Sequence, residues 1–150
     1  MKKLLSILIV LLLVTSSACA NTSYLIGKYN SLAKNYGAPV LNLDMLKEET
    51  EKVTKFLCGD TWIMFGAINS TEINSASVVG ADSTDFLPAC VSAAFTISKS
   101  ADGAVDFMGA LLYAYMTVKS GKEKSFGYFN SLYFTISSTE QGLQFLIGEP

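Results

Sequence analysis

A chain of 150 residues with eleven lysines, thirteen carboxylates and a net charge of −2 is long enough for one domain with a real core, and it carries no basic stripe for nucleic acid. Histidine and arginine are both absent, which removes Ser-His-Asp and Cys-His catalysis, histidine-held zinc or haem, and the bidentate fork that grips phosphate. Binding is therefore favoured over catalysis, and no enzyme activity, cofactor or metal site is expected.

Lys2 and Lys3 precede an apolar run from Leu4 to Val14, and small residues follow from Thr15 to Ala20, the order of an export signal. Ala18 and Ala20 suit cleavage after Ala20, so that 1–20 is the signal and 21–150 the working domain. Ser16-Ser17-Ala18-Cys19 offers the rival cut of a lipoprotein, with Cys19 acylated as the sole contact with a membrane. The apolar run is shorter than the ~20 residues that span a bilayer. Export places the chain in the periplasm or outside the cell, where Cys58 and Cys90 are an even pair under either cut. A disulfide between them is expected, worth ~3 to 4 kcal/mol on the chain-entropy argument.

Leu25, Tyr29, Leu32 and Tyr36 recur at helical spacing, with Thr22 or Ser23 as cap and Gly37 and Pro39 as the stop. A second helix is predicted from Asn42 or Asp44 to Gly59, its apolar face Leu46, Val53, Phe56 and Leu57 and its outer face stitched by Glu48–Lys52 and Glu51–Lys55. Residues 60–85 read as a linker with one short helix near Trp62–Phe65, a run too short for periodicity to separate helix from strand. Asp85 caps a further helix with Pro88 in its first turn and Val91, Ala94 and Phe95 on one face, which brings Cys90 to its start. Asp102 opens the most apolar stretch, Val105 to Val118, expected as the central helix, with Gly109 admitting a neighbour and Ser120-Gly121 ending it. Phe126, Phe129, Tyr133 and Ile136 fit a helical face but lie among strand formers. Ser138 and Gln141 form a capping box for a last helix over Leu143, Phe145, Leu146 and Ile147. The sum is an all-α, single-domain bundle of five to seven helices with one disulfide, the alternative being α+β with a short hairpin near 126–136.

Among candidate functional residues, Asp82, Asp85, Asp102 and Asp106 could supply a carboxylate pair, but Asp85 and Asp102 sit where helix caps belong, and capping explains those two better than catalysis. Asp82-Ser83-Thr84-Asp85 falls short of a calcium loop. Asn21-Thr22-Ser23 and Asn69-Ser70-Thr71 are glycan acceptors if the host is eukaryotic, with Asn69 the better placed. Tyr128, Phe129, Tyr133 and Phe134 crowd one segment, as a partner-binding patch or pocket wall would. The expected function is an exported module acting by protein–protein contact, as an inhibitor, an immunity-type protein or part of an envelope assembly. The alternative is a carrier of an apolar ligand or lipid in a helical pocket between 105–118 and 126–136.

Overall fold

The computed structural model describes residues 22–69, 72–98, 100 and 102–150, with the side chains of 68 and 69 set aside. The expected cleavage after Ala20, the lipidation at Cys19 and the glycan acceptors at Asn21 and Asn69 fall outside those residues and side chains.

The first helix forms where its periodicity places it, as α1 over 22–36, and buries Leu25, Tyr29 and Ala33. Gly37 follows with φ +72°, a left-handed stop that suits glycine. The Asn30 carboxamide clamps the outgoing chain by donating to the Leu41 carbonyl at 2.8 Å and accepting from its N–H at 2.7 Å.

Beyond a 3-10 turn at Leu43–Met45, the expected second helix is a hairpin: β1 (Leu46–Glu49) antiparallel to β2 (Val53–Cys58). Two of the residues read as members of separate helical pairs, Glu48 and Lys55, instead pair with each other across the strands. Glu48 sits opposite Lys55 in register, and Lys55 Nζ lies 2.6 Å from Glu48 Oε2. The supposed linker supplies β3 (Thr61–Asn69) and β4 (Glu72–Gly80). Two helices follow as expected, α2 (Phe86–Ile97) and α3 (Ala104–Lys119). Asp85 holds the N-cap position of α2 without a side-chain bond, and Gly103, not Asp102, holds that of α3. The chain closes with β5 (Lys124–Phe129), β6 (Leu132–Thr139) and β7 (Gly142–Gly148). The capping box is in fact the β6–β7 turn, where Thr139 Oγ1 donates to the Gly142 carbonyl and accepts from the Gln141 N–H.

The fold is thus α+β and not an all-α bundle: the described residues form seven antiparallel strands in the order β1-β2-β3-β4-β7-β6-β5, with three helices. Two meanders, β1–β4 and β5–β7, meet at the β4–β7 pair, the one junction in the sheet that is not a hairpin. There Gly142 takes φ +114°, and a Cβ on it would lie 2.3 Å from the Gly80 carbonyl oxygen. Only glycine closes this seam.

Strand alternation sorts the side chains. Register places Phe65, Ala76, Ile147, Phe134 and Gly127 in one cross-strand row, and Phe56, Ile63, Val78, Phe145, Ile136 and Ser125 in the next. These rows are buried against the helices: α2 lies chiefly on β4, α3 on β5 and β6, and the Tyr29 ring meets Phe65 edge-on at 6.0 Å.

Cys58 and Cys90 are buried and unpaired, so the expected disulfide is absent. Cys58 ends β2, whereas Cys90 lies in α2, which packs chiefly on β4 and not on the strand that carries Cys58. The Cys58 thiol instead points its Sγ to Met45 Sδ at 3.3 Å.

Candidate functional site

Among the described residues no helix lies on the opposite face of the sheet, and three cross-strand rows define it. Register gives Val53–Gly66–Ser75–Gly148–Tyr133–Tyr128 as the first, and Lys55–Met64–Ser77–Leu146–Thr135–Phe126 as the second. The third is Leu57–Trp62–Val79–Gln144–Ser137–Lys124. The middle of the first row has almost no side chain: Gly66 and Gly148 flank Ser75, whose Oγ would sit 2.4 Å from a Cβ on Gly66. Because larger residues stand on either side, the surface sinks into a trough of about 610 Å³.

Val53, Lys55 and Met64 wall the trough on the β2–β3 side, and Tyr133, Thr135, Leu146 and Lys124 on the other. Tyr133 is held edge-on by Tyr128, ring centres 5.4 Å apart, and leans on Phe126 at 6.1 Å. Phe126 and Tyr128 are 63% and 66% exposed, so two large rings stand free at the rim. The trough's lining includes Ser77, whose Oγ is buried and makes no hydrogen bond. A buried hydroxyl without a partner costs roughly 1 to 3 kcal/mol. Lys55 is engaged by Glu48, and Glu149 joins the lining beside Gly148.

The four aromatics singled out from the sequence separate by parity. Tyr128 and Tyr133 face the open side, whereas Phe129 and Phe134 face the helices and are buried. Phe107 of α3 stacks on Phe129 at 4.4 Å and meets Phe134 edge-on at 5.5 Å, so rings occupy the space between α3 and β5–β6 where a ligand pocket was expected. Met64, Gly66, Ser75, Ser77, Leu146 and Gly148 line the trough without being singled out by the sequence. The runs 61–66 and 143–147 are short and almost continuously apolar, so no period shows in them, and Ser75 and Ser77 stand in a small, polar segment.

On the covered face, burial raises the Cys58 thiol and pushes Cys90 well above its ordinary value, so neither is a ready thiolate nucleophile. Burial, and then the charges Cys58 and Cys90 would carry, raises the Tyr29 hydroxyl, which is buried without a partner. At the surface, Asp82 is a clamp: it accepts from Tyr115 Oη at 2.5 Å and pairs with Lys119, which holds its carboxyl below the usual range. Among the described residues, no group of three His, Cys, Asp or Glu side chains could hold a metal ion, and no helix is long and apolar enough to cross a membrane. Comparison of the chain with protein-family models, curated proteins and solved structures returns no match.

Proposed function

We propose that this chain is an exported binding module that seats a segment of another protein in the trough on the open face of its sheet. The observation that carries this reading is the Gly66–Ser75–Gly148 floor between Val53 on one side and Tyr133, braced by Tyr128, on the other. A side chain inserted there loses water on both flanks, gains apolar contact and finds hydroxyls below it. Exposed tyrosines beside a pocket are typical anchors of protein contacts, since the ring buries a large area and the hydroxyl keeps a hydrogen bond. Such a module acts by occupying its partner, as an inhibitor or immunity-type protein does, or by joining an envelope assembly.

A photo-crosslinker placed at Thr135, on the trough wall, should capture one stoichiometric partner in native envelope or secreted material. Tyr128→Ala, an exposed change, should weaken capture about tenfold or more, the scale of an interface anchor. Gly66→Leu should abolish it by filling the floor. Undiminished capture by both variants would refute the reading. A second reading shares the trough: its volume lies in the range of about 300 to 1,000 Å³ common for small ligands, and its lining is mostly apolar. An apolar ligand retained in native mass spectrometry and lost in Gly66→Leu, with no crosslinked protein, would favour it.

A further inference from the structure

Helix α3 has two apolar faces and its own fold uses only one. Phe107, Leu111, Ala114 and Val118 are buried against the sheet. On the outward side, Val105, Leu112, Tyr113 and Met116 are more than half exposed, and Met108 is 38% exposed. Those positions, with Gly109, follow one another at three- and four-residue spacing without a charge among them. Gly109 has nothing within 4 Å of where a Cβ would stand, so no contact inside the domain requires glycine there. Yet glycine within a helix costs ~1 kcal/mol relative to alanine. Among the described residues no neighbour takes up the space at Gly109.

The charges bordering the stripe say what fits it. Asp102 and Asp106 lie at its N-terminal end, Lys119 and Lys122 at its C-terminal end. Reversed about Leu112, the stripe maps onto itself: Met108 falls at the level of Met116, Val105 at that of the Lys119 stem, and Asp102 at that of Lys122. A complementary surface must be apolar in the middle, basic opposite Asp102 and acidic opposite Lys122, whereas Lys119 is already paired with Asp82. This chain carries that surface on α3 and the residues that flank it.

We infer that α3 is a self-association face, on which a second copy of this chain packs antiparallel about a two-fold axis near Leu112. The contact is isologous, each patch meeting its own copy, and it closes at two. Antiparallel helices also set each positive helix end beside a negative one. The missing side chain at Gly109 leaves room for the second copy's Tyr113 on the same flank. An anionic membrane surface fits less well, since Asp102 and Asp106 would face like charge. The inference is independent of the trough, which opens on the far face of the sheet and stays accessible in both copies. One helix face is a modest area, so the dimer is concentration-dependent.

Sedimentation velocity of the purified chain from micromolar to millimolar concentration should show the mass doubling. Leu112→Lys sets two like charges across the axis and should weaken the dimer by about tenfold or more. Should that variant lose its fold, charge exchange still decides. Asp102→Lys and Lys122→Glu should each weaken self-association alone, and mixing the two proteins should yield mixed dimers. Three results would overturn the inference: a monomer at every concentration, a Leu112→Lys protein that dimerises as wild type does, or a monomer that instead binds phosphatidylglycerol vesicles through Leu112.

Discussion

The two faces of the sheet are built from the same strands and differ in what they can spare. In β6, Leu132, Phe134 and Ile136 point to the helices and are buried, while Tyr133, Thr135 and Ser137 point away and stay partly accessible. The covered face is filled by rings in contact: Phe95, Phe107, Phe129, Phe134 and Phe145 touch in sequence, at centre distances of 4.4 to 6.0 Å. The open face leaves a glycine-floored gap instead, although nothing in a sheet requires one. The difference teaches that the covered rows carry stability and the open rows are free to carry recognition.

That division can be broken most sharply at Phe134. Phe134→Ala should cost about 3 to 5 kcal/mol, since the ring is fully buried and meets Phe107 and Phe145. Urea unfolding would read the loss, and an equal loss for its open-face neighbour Tyr133→Ala would abolish the distinction. Next in size is Tyr29→Phe, which removes a buried hydroxyl without a partner and keeps the ring against Phe65. It should leave stability unchanged or raise it by roughly 1 kcal/mol in the same experiment.

The smallest effect concerns the Asp82 clamp, which ties the loop before α2 to α3. The Asp82 carboxyl is held low by hydrogen bonds from Lys119 and then Tyr115, so its contribution is present above the unfolded carboxylate range and fades as pH falls through the folded value. Lys119 and Tyr115 are both raised by their bonds to Asp82, so their share is lost at the alkaline end. Asp82→Asn should lower the melting temperature slightly at neutral pH and not at all in strong acid. A deficit that persisted unchanged into acid would show that charge plays no part.

The sequence exposed the helices far better than the sheet. Helices α1, α2 and α3 stand where cap, proline and glycine punctuation set them, because those signals act through the local backbone. The strands were hidden because a short apolar run does not reveal its period: Leu143, Phe145, Leu146 and Ile147 fit a helical face, yet only every second residue is buried. The charges of 48–55 added a false helical signal, since the four-residue spacings Glu48–Lys52 and Glu51–Lys55 suit a helix, whereas in the hairpin it is Glu48 and Lys55 that meet. The site went unseen for a further reason. Gly66, Ser75, Ser77 and Gly148 are unremarkable singly and become a floor only when register lines them up, and register is a property of the paired chain. The disulfide expectation failed on the same ground, because an even count of cysteines says nothing about which strand or helix carries each one.

The glycine seam between β4 and β7 governs the order in which the molecule can assemble. Every other strand neighbour is reached by a short turn, so each meander can zip up from nearby contacts, while the seam must wait for two distant segments to meet across the intervening helices. Until Gly142 settles against Gly80, the inner margins of both half-sheets present unsatisfied backbone to the surroundings. That late interval, and not the finished molecule, is when the chain is most vulnerable to pairing with a stranger.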